Sequence, residues 1–573
     1  MLLFTPKSRF VFTISFLFLS FIFRASVASA LEQDTIKKVL QTLHHEVPED
    51  EYVPVSVDEM PRSPGYRDDG SSFFTIQVNT DANGDNIVGD AANEPSMAID
   101  PANPDKIVIG WRQFDNVHNN FRQAGYAYTL DGGETWTFPG VIDPGVFRSD
   151  PVLASDAGGN IYYNSLTVSG SNFYCDVYIM ESGTTVWDSG TYALGGDKQW
   201  MIVDNNNGMG AGNIYAFWTS SYSICYPDFF TRSTDGGDTY EDCVSIPGYP
   251  QWGTLATGLD GTLYVAGLSD EGFIVAKSST AQNPNWPVSW DSYHVVDLDG
   301  TVGFGEGPNP EGLLGQTWVA VDNSDGPYSG YVYVLSSIAR YNSNDPLDIM
   351  FARSTDGGIT WDGPVRVNQD LSTSNWQWFG TMSVSPDGRI DVVWLDTRDN
   401  PGTYLSSLYY SYSIDGGESF SANERVSESF NPHTGWPQQD KMGDYFHLVS
   451  DVDYAHLAWA NTLNGEQDVY YTRVNPWFVG VKENNLKNQL LIHVFPNPAK
   501  DELNVKYQIE KNGNVEIHLF NVLGKEVYFQ SGTNLKTGQQ HISINTSSFP
   551  EGVYFLNVSS GGNSSVTKVI LAK

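Results

Sequence analysis

The sequence predicts an all-β chain: a β-propeller built from like units, followed by a small β-sandwich. Three observations predict it. First, one turn motif recurs four times, as T-L-D-G-G-E-T-W at 129–136, S-T-D-G-G-D-T-Y at 233–240, S-T-D-G-G-I-T-W at 354–361 and S-I-D-G-G-E-S-F at 413–420. Second, counting eroded copies that end at Trp187 and Trp286, the closing aromatics are spaced 46 to 75 residues apart, the size of a propeller blade. Third, this grammar stops after Asn475, and a different set of alternating strands follows.

Taken in order, residues 1–30 read as a signal peptide. Lys7, Arg9 and Arg24 supply positive charge, 11–23 is an apolar core, and Ala28-Ser29-Ala30 is a small-residue cleavage site. Residues 31–72 read as a helix over 31–43, with Ile36, Val39, Leu40 and Leu43 on one side, and then a proline-bearing linker. Residues 73–475 form the propeller. A lone strand at 73–79 opens it, and strand pairs follow at 95–111, 151–163, 200–218, 254–267, 318–335, 381–394 and 448–459. Each pair leads to a third strand, and in six units that strand runs into the turn. The seventh unit has a third strand at 468–474 but no fourth. The strand at 73–79 can supply it, and closure of that kind removes two exposed sheet edges. Seven blades are therefore expected, with six as the alternative. Residues 476–489 read as a polar linker and 490–573 as a separate antiparallel sandwich.

Bulk properties narrow the function. The chain has 573 residues, a formal net charge of −37 and 13% aromatic residues. Such a charge disfavours nucleic acid and anionic membranes as partners. After the leader, no apolar stretch is long enough to span a membrane, so the mature chain has no transmembrane segment. Three cysteines, Cys175, Cys225 and Cys243, are too few for a disulfide scaffold. One pair, most naturally including Cys225, would leave a thiol over.

In the repeated turn, Asp131, Asp235, Asp356 and Asp415 can accept loop N–H groups, and the following glycines permit positive φ. This motif resembles the Asp box of sialidase-like (BNR) β-propellers, in which it is a structural turn on the outer rim. The resemblance therefore implies scaffold roles for these four aspartates. The final module carries F-P-N-P at 495–498, F-N-V-L-G at 520–524 and E-G-V-Y-F-L-N-V at 551–558. It resembles the C-terminal sorting domain of the type IX secretion system. That resemblance implies handling by the type IX machinery, cleavage of the module, and secretion or attachment at the outer surface.

The chemistry is expected where loops enter first strands and leave second strands, at one mouth of the channel. Candidate groups there include Glu94, Asp150, Arg112, Arg340, Asp396, Arg398 and Trp378. Carboxylates and arginines among aromatic faces suit a saccharide. Resemblance to sialidases implies a clamp of three arginines, for which Arg112, Arg340 and Arg398 are the candidates, with Asp150 or Asp396 as the acid. The sialidase R-I-P signature and its Tyr–Glu pair find no match. The expected function is thus action on extracellular glycans, as a glycoside hydrolase of sialidase-like type or as a non-catalytic glycan- or protein-binding propeller. Asp81, Asn83 and Asp85 place oxygen ligands at alternate positions, as calcium loops do, but no glutamate stands twelfth.

Overall fold

In the computed structural model, the described residues are 50–476 and 492–572, except 71, 171, 304–306, 510, 522–524 and 561–562. The predicted leader, the helix at 31–43 and nearly all of the linker at 476–489 lie outside them. The chain divides into two units, one ending at Val474 and one beginning at Asn475.

Among the described residues of the first unit, seven antiparallel sheets follow one another. In chain order, their innermost strands are Ala91–Ile99, Ser149–Ser155, Trp200–Val203, Leu255–Thr257, Trp318–Val321, Gln377–Val384 and His447–Ser450. Each touches the next, and the seventh touches the first, so the inner strands close a ring around a central channel. The seventh sheet is completed from the other end of the chain. Phe73–Gln77 pairs with Asp468–Val474, from Phe73 opposite Val474 to Gln77 opposite Tyr470. Thr75 and Thr472 hydroxyls meet across this seam at 2.9 Å. The buried rings of Phe74 and Tyr471 anchor a core shared with Met97 and Trp111 of the first blade. Arg67–Asp69, predicted as part of a linker, instead pairs with Phe73–Gln77 as the fifth and outermost strand of this sheet.

The four repeated turns share one hydrogen-bond pattern. At the first, Thr129 Oγ1 and the Thr135 amide donate to Asp131 Oδ1 (2.6 and 3.0 Å), and Thr135 Oγ1 donates to Oδ2 (2.6 Å). The equivalent donors hold Asp235, Asp356 and Asp415. Donation by the Thr360 hydroxyl and amide keeps the Asp356 carboxyl well below the usual carboxylate range. Gly133 adopts φ +95°, and a Cβ there would collide with the Tyr471 ring of the seventh blade. Gly417 bears on Phe351 of the fifth blade in the same way. The turn thus packs one blade on the previous one, which is a scaffold role.

One detail departs from expectation and another meets it. Trp286 is 60% exposed, and Trp290 packs on Phe230 instead, ring centroids 5.3 Å apart. Cys225 and Cys243 form a disulfide, while Cys175 is buried and free.

The second unit is a two-sheet sandwich. Ile492–Phe495, Glu502–Ile509 and Gly538–Asn545 form one sheet. Glu526–Leu535, Gly513–Asn521, Gly552–Ser560 and Asn563–Leu571 form the other. Alternate residues such as Leu503, Val505, Leu519, Leu556 and Val558 fill the core between them.

Candidate functional site

Each inner strand starts at one face of the ring, and the strands alternate direction outward. Loops entering first strands and leaving second strands therefore share a face, here called the mouth, and the Asp turns lie at the far face. At the mouth end of the inner strands the backbone repeatedly enters the left-handed region: Glu94 (φ +50°), Asp150 (+46°), Lys198 (+60°), Trp252 (+54°), Phe379 (+55°) and Gly443 (+91°). Left-handed backbone is costly for residues with a Cβ and concentrates at functional or over-determined positions.

Several of these residues meet at the centre of the mouth. Arg112 Nε lies 3.2 Å from Glu94 Oε2 and donates to Asn93 Oδ1 at 2.8 Å. Lys441 Nζ stands between Glu94 Oε1 (3.5 Å) and Asp444 Oδ2 (3.2 Å). Lys198 Nζ pairs with the same Asp444 oxygen, and its amide donates to Asp150 Oδ2 at 3.1 Å. All six charged side chains are buried. Burial pushes the Glu94 carboxyl up to about 7, against the pull of Arg112 and Lys441. Burial also lifts neighbouring Asp197 to about 7. Asp444 goes the other way: Lys198 and Lys441 outweigh its burial and hold it well below the carboxylate range. At Asp150 burial is likewise outweighed, by Lys198 and Arg112, and its carboxyl is lowered.

Two entering loops seal this centre from above. Asn309 Nδ2 donates to the Leu313 and Gly443 carbonyls (2.6 and 2.8 Å), and its Oδ1 accepts from the Met442 amide. The Leu313 amide donates to Asp444 Oδ1 at 2.7 Å. Below, Trp200 packs edge-on against Trp318, Tyr445 and His447, separating the ions from the rest of the channel.

The structure therefore corrects the expected clamp. Arg112 is held by Glu94 in the first blade. Arg340 pairs with Asp299 (2.8 Å) and Asp348 (3.4 Å) in the fifth. Arg398 pairs with Asp396 (2.6 Å) and approaches Asp370 (3.8 Å) in the sixth. Each arginine is committed to carboxylates of its own neighbourhood. Asp396 is buried and takes donors from Trp394, Gln377 and Arg398. Trp378 is buried as well, its indole N–H on Ser406 Oγ, so it offers no face to a ligand. Glu94 and Asp150, expected to meet substrate, lie inside the sealed centre.

Nor does the 81–85 turn present a free cation cradle. Asp81 Oδ1 accepts the Asn83 and Asp85 amides, and Oδ2 pairs with Arg62 at 3.0 Å. Among the described residues, no group of three or more His, Cys, Asp or Glu side chains is arranged to hold a metal ion.

A second set, in which buried carboxylates lie beside partly exposed arginine and aromatic side chains, was missed by sequence reasoning. It lies on mouth loops of the fifth, sixth and seventh blades. Asp345, in the loop before Asp348–Ser354, has neither carboxylate oxygen hydrogen-bonded within the described structure. Burial, with Asp348 and Asp370 nearby, pushes it up to about 7. Asp370 accepts from Asn368 through Oδ1 (2.7 Å), while its Oδ2 has no such donor. Around them Arg340 and Arg366 are about one-third exposed, at 31% and 30%. An aromatic row runs outward from there: Trp376 to Tyr404 at 6.2 Å, Tyr404 to His433 at 5.1 Å and His433 to Trp436 at 4.6 Å between ring centroids. Gln377, next to Trp376 in the chain, donates to Asp396 and accepts from the Asn368 amide that also donates to Asp370, so the row starts one residue from the network that holds Asp370. The signal in the sequence was the N-W-Q-W run at 375–378, in which Trp378 lies inside the strand Gln377–Val384 and Trp376 just before it.

Comparison with known proteins identifies residues 493–572 as a secretion system C-terminal sorting domain. The protein is thus exported, and is secreted or held at the outer surface once this module is cleaved. No curated protein matches the chain. Among solved structures it is similar to a protein from Dyadobacter fermentans at 14% identity, covering 70% of this chain and 97% of that one with a TM-score of 0.39. It is also similar to a PL25 ulvan lyase, a polysaccharide lyase (13%, 68% and 94%, TM-score 0.41), and to the Trypanosoma rangeli sialidase (11%, 88% and 89%, TM-score 0.34). Deleting residues 490–573 is expected to leave the propeller folded but retained inside the outer membrane. Fractionation and protease accessibility of intact cells check this, and normal surface display of the truncated chain would contradict it.

Proposed function

We propose that this exported propeller hydrolyses extracellular glycans, and that the saccharide lies across the mouth loops of the fifth, sixth and seventh blades. The observation that carries the reading is the aromatic row from Trp376 to Trp436, which starts one residue from the Gln377–Asn368–Asp370 hydrogen-bond network. Aromatic faces pack against the C–H faces of sugar rings, and Leu371, 99% exposed on the same loop, extends the apolar surface. Glycoside hydrolysis needs one carboxyl that is protonated at working pH and one that is ionised. Asp345 has the properties of the first. It would donate a proton to the glycosidic oxygen as the bond to the leaving sugar breaks. Asp370, with one oxygen anchored by Asn368, suits the second, either drawing a proton from water or attacking the anomeric carbon.

A sialidase-type assignment is the finer reading and has less support. Of the three arginines named for its clamp, Arg112 lies in the sealed centre, while Arg340 and Arg398, with Arg366, border the carboxylates of this site. The alternative is a non-catalytic binder. It is favoured by the burial and full pairing of Asp396 and by the sealed position of Asp150.

Titration against neutral, uronic and sialylated oligosaccharides, followed by product analysis, tests these readings. Trp376→Ala and Tyr404→Ala should each weaken binding at least tenfold, about 1.4 kcal/mol. Binding without any product would leave the binder reading. Unchanged binding in the double variant would remove the aromatic row from the site.

A further inference from the structure

We propose that the channel below the aromatic plug is a second ligand site, entered from the far face, which takes a single uncharged, hydroxyl-rich ring such as a neutral monosaccharide. The proposal does not depend on the mouth-face reading. Its basis is an open cavity of about 310 Å³ lined by the inner strands of the third to seventh blades. That volume is at the small end of the roughly 300–1,000 Å³ typical of ligand pockets, enough for one ring. Its inner end is the aromatic cluster: Trp200 and Trp318 in edge contact at 5.1 Å, with His447 stacked on Trp318 at 5.9 Å. Its outer rim carries Asn205, Asn206 and Asn323.

The polar groups at the two ends are complementary. Trp318 is buried, and its indole N–H has no acceptor within the described structure. His447 Nδ1 accepts the Met97 amide at 3.1 Å, which places the proton of the neutral ring on Nε2. Burial supports that neutral state, lowering the ring to about 4. The inner end therefore offers N–H donors. At the rim, Asn205 and Asn323 spend their NH₂ groups on the Ser155 and Thr257 carbonyls, and Asn206 on Asp204, Thr257 and Gly258. That anchoring fixes the side chains and leaves their carbonyl oxygens as acceptors. A ligand that satisfies donors at one end and acceptors at the other must itself both accept and donate, as hydroxyl groups do. The flat aromatic end suits the apolar face of a ring. Among the described residues, no carboxylate, lysine or arginine lines the cavity, so an ionised ligand would find no counter-charge there.

The test is saturation-transfer NMR and calorimetry of the full exported chain with glucose, galactose, rhamnose and, as the charged probe, glucuronate. Three variants separate the outcomes. Trp318→Phe keeps the ring and removes the N–H, Ala320→Phe fills the cavity, and Trp376→Ala disables the mouth face. A neutral monosaccharide should bind wild type, and binding at the channel should persist in Trp376→Ala. Binding should fall at least tenfold in Trp318→Phe and vanish in Ala320→Phe, with glucuronate silent at the channel. Failure of every neutral sugar to bind wild type would overturn the proposal. So would binding that survives Trp318→Phe unchanged, or binding abolished by Trp376→Ala. If Ala320→Phe does not fold, the Trp318→Phe and Trp376→Ala results decide the matter without it.

Discussion

Replacing Asp444 with alanine should lower the unfolding free energy by about 3–5 kcal/mol, the range for stripping one partner from a buried ion pair. Three groups lose their acceptor together. Asp444 Oδ2 serves Lys198 and Lys441, and Oδ1 serves the Leu313 amide at 2.7 Å. Two buried ammonium groups would then face one another, with Asp150, Glu94 and Asp197 left to compensate them, and burial favours the neutral form of the last two. The loop carrying Asn309 and Leu313 would lose its anchor as well. Asp444→Asn should fall in between, because the amide oxygen can still accept from Leu313. Equilibrium denaturation of the three proteins checks the order. A loss in Asp444→Ala under about 1 kcal/mol, the size of an exposed pair, would mean that water reaches the centre. The same centre predicts a pH dependence. Glu94 and Asp197 have folded values raised to about 7, so the folded state binds more protons than the unfolded chain below that pH. Their share of stability is present in mild acid and is lost as pH rises through about 7.

Much of the scaffold was legible because it is written locally. Asp-Gly-Gly with flanking hydroxyls specifies a turn wherever it occurs, and apolar alternation on both sides specifies the strands it joins. Even the closure at 73–79 could be reasoned out, since an orphan strand at one end and a missing strand at the other solve one edge problem. The ion centre was not legible in the same way. Glu94, Asp150, Lys198 and Asp444 span 350 positions, and each alone is an ordinary loop residue. Only ring closure brings them together, and only the loops around Asn309 and Gly443 decide that they are sealed rather than open to substrate. Trp378 and Trp376 show the finer limit. Two residues apart, they would share one face of a regular strand, but Trp376 stands just before Gln377–Val384 and only Trp378 lies within it, a boundary that no period-2 reading fixes. Asp345 carries no motif at all. Its interest comes from burial beside Asp348 and Asp370, which is a tertiary property.

Asp345→Asn should reduce glycan turnover by about 10²–10⁴-fold, the usual contribution of general acid catalysis, and leave saccharide binding near the wild-type value. The two readouts differ because the amide keeps the shape of the carboxyl and lacks only its proton. The pH profile gives the sharper test. A carboxyl lifted to about 7 by burial and by Asp348 and Asp370 is mostly protonated in mild acid. Wild-type kcat/KM should therefore fall as pH rises through about 7, and that alkaline limb should be missing from the residual activity of Asp345→Asn. Asp370→Asn should be comparably slow, yet it should keep the alkaline limb, because it leaves the proton donor in place. It should also move that limb to lower pH, since one of the charges that raise Asp345 is gone. Arg366 acts against burial by favouring the ionised form, so Arg366→Gln should shift the limb to higher pH. Opposite shifts in Asp370→Asn and Arg366→Gln would assign the limb to Asp345. A limb that neither substitution moves would belong to another group and would remove Asp345 from the role of proton donor.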